Sequence, residues 1–244
     1  MEATNPSREI VQFNNAIHQY KASEKILTPV TRFVNSFFPE FDAKRIAKRY
    51  AAKHGLDVAD VLAEWKANGQ LAATMGTAVH RYAEVEIQNL IFDGPQNNHY
   101  DGYYRAVDRV IAKLLKRFEF INTERIVFSV KLGLAGTIDL LMRDPENDDI
   151  LIFDWKTNKE ITTQNSYNQF ALSPIGHLDN CHFAKYSLQL NTYKRIMQAE
   201  NYFPGAAFRM ALIHLENNGE GTVTDKWFKV RDMDDEIDSM IEWI

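Results

Sequence analysis

Cysteine is almost absent from this chain of 244 residues, in which Cys181 is the single copy. One cysteine excludes an internal disulfide, a zinc site built from cysteines and a four-cysteine iron–sulfur cluster. No apolar run approaches the ~18 residues that a membrane span needs. The first ten residues also lack the basic and then apolar order of a signal peptide. We therefore expect a cytoplasmic, reducing location and no membrane partner.

Glycine-rich phosphate loops, internal repeats and low-complexity linkers are missing as well. Their absence disfavours a hydrolase of small phosphorylated substrates and favours one continuous domain over residues 1–244. Hydrophobic residues at 45% and charged residues at 25% are ordinary proportions for a folded protein.

The net charge of −5 argues against a general affinity for nucleic acids, but the charges are unevenly distributed. The last fourteen residues hold six acids against Arg231 alone. Between positions 44 and 53 there are five basic residues and no acidic one, namely Lys44, Arg45, Lys48, Arg49 and Lys53. A helix that carries this basic run presents either a solvated face or a DNA-contact face, and both interpretations stay open.

The first 73 residues are predicted to form a mainly helical N-terminal elaboration, after a short hairpin at 9–20. Capping residues divide the helical part into three segments. These are a helix from Thr28-Pro29 to Phe38, one from Asp42 to Gly55 and one from Asp57 to near Gly69.

Residues 74–215 are predicted to form a catalytic core, followed by an acidic C-terminal segment at 216–244. Apolar periodicity distinguishes helices from strands in the core. It predicts helices at 74–91, 102–120 and about 183–200, an antiparallel meander of strands at 125–132, 136–143 and 150–157, and a last strand at 206–215. This order is typical of a mixed α/β fold.

The third strand of the meander ends in Asp154, Trp155 and Lys156. Alternation places Asp154 and Lys156 on one face and Trp155 on the other. Asp139, on the preceding strand, can approach Asp154 when the strands pair. Two neighbouring carboxylates repel unless a divalent cation joins them, and an oxygen-rich site of this kind suits Mg²⁺ or Mn²⁺. A lysine beside the cation can position a water and neutralise charge on a phosphoryl group, although D-x-K alone also marks many ordinary strand ends.

Two predicted helices carry further polar side chains at helical spacing. His80 and Glu84 are four residues apart and share a face. A histidine in an apolar stretch is more commonly a packed core residue than a ligand, but here Glu84 offers a second donor. Tyr186, Gln189 and Tyr193 form one stripe. Such a stripe is commonly core, yet a buried glutamine needs hydrogen-bond partners.

Taken in order, these segments resemble the successive motifs of RecB-type nucleases in the PD-(D/E)XK superfamily. The matching segments are G-T-A-V-H at 76–80, G-T-I-D at 136–139, I-F-D-W-K-T at 152–157 and Y-S-L-Q-L-N-T-Y at 186–193. The resemblance covers roughly residues 74–195 and is greatest to phage exonucleases and to the mitochondrial genome maintenance exonuclease. The segment T-P-V-T-R-F-V at 28–34 adds a weaker similarity to the phage proteins.

The resemblance implies a restriction-endonuclease-like core, in which helices flank a central mixed sheet. It implies that Asp139, Asp154, His80 and the main-chain carbonyl of Trp155 are metal ligands. Lys156 would be the catalytic lysine.

Other residues receive less direct roles from the resemblance. Glu84 would bind a second metal ion or orient His80, and Gln189, Tyr193 and Tyr186 would lie near the DNA strand. Several relatives carry a cysteine-ligated iron–sulfur cluster. This chain cannot hold one, so we expect a cluster-free member that uses one or two Mg²⁺ or Mn²⁺ ions.

The leading hypothesis is a metal-dependent DNA exonuclease of phage-type recombination or replication, working in the host cytoplasm if a phage encodes it. A DNA endonuclease is the nearest alternative, because end dependence is determined by loops and oligomeric state. A non-catalytic nucleic-acid-binding or assembly subunit on the same fold is the other. A homo-oligomer, or a recombination or replication partner protein, is left open by the residues.

Overall fold

The computed structural model describes residues 1–219 and 221–243. Its strands are β1 (Glu2–Thr4), β2 (Ile10–Asn14), β3 (Gln19–Ala22), β4 (Lys25–Pro29), β5 (Glu119–Ser129), β6 (Leu134–Arg143), β7 (Ile150–Lys156), β8 (Phe208–Asn217) and β9 (Val223–Val230). Its helices are α1 (Val30–Asn35), α2 (Ala43–His54), α3 (Val58–Gln88), α4 (Asp101–Leu114), α5 (His182–Ala199) and α6 (Asp234–Glu242).

The strands join in one mixed sheet, in the order β1-β2-β3-β4-β6-β7-β8-β9 with β5 paired to β6. The predicted meander is confirmed, because β5, β6 and β7 pair antiparallel. Two contacts are parallel, β4 with β6 and β7 with β8. The helix α5 connects β7 to β8, as a parallel pair requires.

Strand β6 has two different partners along one of its edges. Because β5 pairs with nearly the whole of β6, both β4 and β7 must pair with the opposite edge. β4 pairs with Leu134 and Ala135, whereas β7 pairs with Leu140 to Arg143. Residues 136–139 therefore lie at a split in the sheet, and this split is where the G-T-I-D motif falls.

Helices cover both faces of the sheet at β7 and β8. Ile150, Ile152 and Leu212 pack in one core with residues of α1, α5 and α6. Their neighbours Leu151 and Ile213 pack in a second core with residues of α3 and α4. This alternation is the period of two that strands impose, and it confirms a central mixed sheet flanked by helices.

The first 29 residues correct the prediction of a mainly helical elaboration. They form β1 to β4, and the predicted hairpin is present as β2 and β3, paired from Val11↔Ala22 to Asn14↔Gln19. Alternating buried residues, including Val11, Phe13 and Tyr20, build a separate small core under these strands. The helix expected from Thr28-Pro29 is α1 alone, with Pro29 as its N-cap, because Thr28 and Pro29 pair with β6.

The long helix α3 also differs from its prediction. Asp42 and Asp57 cap α2 and α3 as expected, and Gly55 ends α2 in the left-handed conformation. Gly69 does not end a helix, since α3 runs through it for 31 residues. An internal glycine costs a helix only about 1 kcal/mol relative to alanine and need not break it. The expected boundary between residues 73 and 74 therefore falls inside α3.

Two helical segments make a structure of their own, which we call the helical arm (residues 42–74). Ala47 and Ala51 of α2 pack on Val61 of α3 in a small cluster separate from the larger cores. Residues 66–74 of α3 are exposed on every side. The arm thus projects from the sheet, and it leads along α3 directly into the G-T-A-V-H motif.

The acidic C-terminal segment is structured. β9 pairs antiparallel with β8, and Ile237 and Met240 of α6 are buried in the first core. The helix predicted at 102–120 is shorter than expected, because β5 begins at Glu119. Within residues 1–219 and 221–243, no helix is long and apolar enough to cross a membrane.

Candidate active site

Asp139 lies where β6 and β7 separate. The last backbone pair between these strands is Leu140↔Phe153. Beyond it, the backbone N–H of Trp155 donates to Oδ2 of Asp139 at 2.9 Å. A side-chain carboxylate thereby takes the place of a ladder carbonyl, and it holds the end of β7 against β6.

His80 of α3 reaches the same point from the helix side. Its Nδ1 lies 3.4 Å from Oδ2 of Asp139, and its Nε2 lies 3.1 Å from the main-chain oxygen of Trp155. Both neighbours are hydrogen-bond acceptors, so an imidazolium can donate to them from both ring nitrogens. Burial alone would lower the pKa of His80, but the charges of Asp139 and Asp154 outweigh it and raise this pKa to about 9.

Asp154 and Lys156 lie on one face of β7, as the alternation predicts. The Lys156 ammonium group contacts Oδ2 of Asp154, and the two side chains are 14% and 3% exposed. Burial raises the pKa of Asp154 to about 6, although Lys156 opposes the rise. Burial would lower the pKa of Lys156, but Asp154 and Asp139 outweigh it and raise this pKa. The amine therefore stays protonated.

Glu124 completes the cluster, and no sequence motif pointed to it. Its neighbours Thr123 and Arg125 pair with Leu140 and Ile138, the residues on either side of Asp139. Its φ is 46°, in the left-handed region that costs a non-glycine residue of order 1–3 kcal/mol and recurs at functional sites. The sequence predicts a strand that begins at Arg125, directly after Glu124, whereas β5 begins at Glu119.

The ligand atoms of His80, Glu124 and Asp139 lie within 4.8 Å of one another. Carboxylates and an imidazole are a donor set that divalent cations accept. Glu124 is exposed as a residue, but desolvation of its carboxyl group by the surrounding side chains and the negative charge of Asp139 raise its pKa to about 8. Burial would also raise the pKa of Asp139, but His80 and Lys156 lower it. A cation at this point would relieve the repulsion between the carboxylates, so these residues fit a metal ion.

The stripe on α5 surrounds Asp154 and Lys156. The half-buried Gln189 donates to Oδ1 of Asp154 at 3.2 Å and to the hydroxyl of Tyr193 at 3.0 Å, so its amide group has hydrogen-bond partners. The Lys156 ammonium group lies 4.2 Å from the ring centre of Tyr186. Tyr193 itself is buried. The helix α5 therefore orients the acid and the amine of the D-x-K motif.

Two glycines of the motifs have steric reasons to be glycine. A Cβ at Gly136 would lie 2.6 Å from Cε1 of Tyr193, well inside contact distance. A Cβ at Gly76 would lie 3.3 Å from Oγ1 of Thr157, directly after Lys156. The small residues thus allow α5 and α3 to approach the split in the sheet.

The remaining predicted residues lie outside this cluster. Glu84 points to Arg81 and forms an ion pair with it at 2.8 Å. Lys44, Arg45, Lys48 and Arg49 are exposed on α2 in the helical arm. The structure thus brings together His80, Asp139, Asp154, Trp155, Lys156, Tyr186, Gln189 and Tyr193, and adds Glu124.

Comparison with protein families gives one match, to the PD-(D/E)XK nuclease superfamily, over residues 47–244. The chain belongs to this superfamily. Its mixed sheet with flanking helices agrees with the superfamily fold. No curated protein matches the chain. Nucleases of the PD-(D/E)XK superfamily are usually metal-dependent phosphodiesterases, and they use divalent metal ions. The acidic cluster described above is the candidate site for such ions in this member.

Proposed function

We propose that this PD-(D/E)XK protein is a deoxyribonuclease dependent on Mg²⁺ or Mn²⁺, and that it acts as an exonuclease in phage-type DNA recombination or replication. One observation carries the proposal. The donor atoms of His80, Glu124 and Asp139 lie within 4.8 Å of one another, beside the contact between Asp154 and Lys156. A metal-binding group next to a protonated amine is the arrangement that phosphodiester hydrolysis needs.

Hydrolysis joins a water oxygen to phosphorus and breaks one phosphorus–oxygen ester bond, leaving a phosphate monoester and a hydroxyl group. Lys156 orients the attacking water and stabilises negative charge that develops on the phosphoryl oxygens. Gln189 fixes Asp154 through its hydrogen bond. Asp139 aligns the end of β7 through the N–H of Trp155, so that the lysine and both aspartates keep one geometry.

The residues proposed to hold the metal are His80, Asp139, Asp154 and the carbonyl of Trp155, with Glu124 as an additional ligand. One or two Mg²⁺ or Mn²⁺ ions would supply an activated water and stabilise the leaving 3′ oxygen. Glu84 remains a candidate for a second ion through water, although its carboxylate is paired with Arg81.

The proposed DNA contacts come from two helices. The basic face of α2 carries Lys44, Lys48 and Arg49 without acidic partners among the described residues, whereas Arg45 pairs with Asp42. An exposed positive stripe of this kind can follow a phosphate backbone. On α5, Tyr186 and Gln189 are half-buried beside Lys156 and Asp154, and we propose that they face the strand while buried Tyr193 holds Gln189.

The preference for an exonuclease rests on the resemblance of the motifs to those of phage exonucleases. An endonuclease would use the same chemistry on closed DNA. A non-catalytic binding subunit would need no lysine beside Asp154, and here Lys156 is present and contacts it.

The proposal is tested by incubating the protein with end-labelled linear DNA and with covalently closed circular DNA, in Mg²⁺, Mn²⁺ or EDTA. An exonuclease degrades the linear DNA, leaves the circular DNA uncut and is inactive in EDTA. Nicking or linearising of the circle would make the protein an endonuclease. Binding without cleavage of either form in both metals would make it a non-catalytic subunit. The position of the label that is released first gives the polarity.

A further inference from the structure

An open groove crosses the surface between the β2–β3 turn, α1 and the first turn of α5. We call it the α1–α5 groove and define it by His18, Arg32, Asn35, Ser36, Phe38 and Lys185. Its volume is about 840 Å³. Arg32 belongs to the T-P-V-T-R-F-V segment, which takes no part in the candidate active site.

The groove carries two cations, Arg32 and Lys185. Neither Arg32 nor Lys185 forms an ion pair within residues 1–219 and 221–243. Glu40 lines the same groove but pairs with neither of them. The Lys185 ammonium group lies 4.8 Å from the ring centre of Phe38, and burial lowers the pKa of Lys185. A partly buried ammonium group without a carboxylate is stabilised by an external anion.

The groove adjoins the reacting centre through α5. Lys185 and Gln189 are four residues apart on one helix face, about 6 Å along the axis. Gln189 donates to Asp154, and Tyr186, next to Lys185, underlies the Lys156 ammonium group. A strand held at Asp154 and Lys156 that continues toward the beginning of α5 must therefore pass over the groove.

We propose that the α1–α5 groove binds the DNA phosphate next to the scissile one, with Arg32 and Lys185 as its two contacts. This inference rests on the proposed function, because it takes the substrate to be a nucleic-acid strand. The guanidinium group of Arg32 matches a phosphate with two parallel donors, and Lys185 adds a point charge. The exposed side chains of Asn35 and Ser36 add polar atoms to the lining of the groove.

The test is binding of a fluorescent single-stranded oligonucleotide in EDTA, so that its outcome is independent of cleavage. The variant is Arg32→Gln/Lys185→Gln, which removes both charges and keeps part of each aliphatic stem, including the Lys185 stem beside Phe38. The control is Arg105→Gln/Lys116→Gln. This pair also consists of an arginine and a lysine without ion pairs among the described residues. Arg105 lies on α4 and Lys116 in the turn that follows it, and α4 packs on the opposite face of the sheet from α5.

Anisotropy titrations over a salt series should show a groove variant with affinity on the order of tenfold lower, as loss of charge-assisted hydrogen bonds predicts. The slope of the logarithm of its binding constant against the logarithm of the salt concentration should be smaller in magnitude by about 1, the value expected for loss of one phosphate contact. The control should keep the parent's affinity and slope. Parent-like affinity and slope in the groove variant would overturn the proposal.

A scan with single neutral methylphosphonate linkages locates the contact. In the parent protein, neutralising one particular linkage should weaken DNA binding, and the same change should not lower the affinity of the groove variant any further. If neutral linkages lower the affinity of both proteins equally at every position, the groove does not bind this phosphate and the proposal is overturned. If the parent protein shows these groove effects but does not cleave DNA in Mg²⁺ or Mn²⁺, the groove proposal stands and the proposed nuclease function is refuted.

Discussion

The carboxylate of Asp139 and the backbone of Trp155 are joined by a hydrogen bond of 2.9 Å. It connects the strand that carries the first carboxylate to the strand that carries Asp154 and Lys156, at the point where their backbone pairing ends. This link joins the two strands through the protein's own atoms. Substitutions at the other proposed metal ligands should therefore reveal metal binding rather than folding.

Glu124→Gln should weaken the binding of Mn²⁺ by about tenfold or more, since a carboxylate ligand is replaced by a neutral amide. Glu86→Gln is the matched control, because Glu86 is an exposed glutamate of α3 that lies outside the ligand cluster. Isothermal titration with Mn²⁺ measures both. An equal loss of Mn²⁺ affinity in the two variants would mean that Glu124 acts only through the general negative charge of the site.

Proton competition should make metal binding depend on pH. The surroundings of these groups raise the pKa values to about 9 at His80, about 8 at Glu124 and about 6 at Asp154. Each proton must leave before the group can bind a cation. Protons are lost as the pH rises, so the affinity for Mn²⁺ should increase from about pH 6 to about pH 8.

Calorimetric titrations in buffers with different ionisation enthalpies measure the protons released on metal binding. A release approaching two protons near pH 7 is expected, because His80 with a pKa of about 9 and Glu124 with a pKa of about 8 are both mainly protonated there. An affinity that stays flat over this range, with no proton release, would show that the pKa shifts do not belong to the metal ligands.

Gly136→Ala should destabilise the protein by about 1–3 kcal/mol, as overpacking does, because the new methyl group would lie 2.6 Å from Cε1 of Tyr193. It should also lower activity by displacing Tyr193 and, through it, Gln189. Gly69→Ala should instead stabilise the protein by up to ~1 kcal/mol, because alanine favours the helix and nothing lies within 4 Å of the new Cβ position. Urea unfolding of both variants checks the pair, and a Gly136→Ala protein as stable as the parent would contradict the packing.

The motifs predicted most of the site because their spacing reflects the sheet. The alternation in β7 placed Asp154 and Lys156 on one face, and the meander brought Asp139 to them, as the structure confirms. Glu124 could not be found in this way. Its left-handed φ and its position opposite Asp139 are tertiary features, and the sequence around it reads as the start of an ordinary strand.

The N-terminal strands were harder to predict than the core. β3 and β4 are only four and five residues long, too short for a strong alternating pattern. The T-P pair was interpreted as a helix start, but the pairing of β4 with β6 outweighed this local preference. Long-range sheet contacts of this kind leave no signal in local sequence.

The basic face of α2 gives a further prediction. Lys48→Glu/Arg49→Glu should raise the apparent Michaelis constant for DNA and flatten the salt dependence of binding, since two phosphate contacts are lost. The metal requirement should not change, because the arm is separate from the metal ligands. Kinetics and binding over a salt series test this. Salt slopes equal to the parent's would mean that these charges only solvate the helix.

The most direct test of the account is single-turnover cleavage of end-labelled linear DNA by Lys156→Ala, measured beside its DNA affinity. Lys156 is proposed to act on charge that develops during the reaction. The rate in Mg²⁺ should therefore fall by about 10²–10³-fold while the dissociation constant changes little. The Asp154→Asn protein should be inactive in Mg²⁺ and Mn²⁺. If Lys156→Ala cleaved at the parent's rate, or lost affinity as much as rate, the cluster of Asp139, Asp154 and Lys156 would not be the active site proposed here.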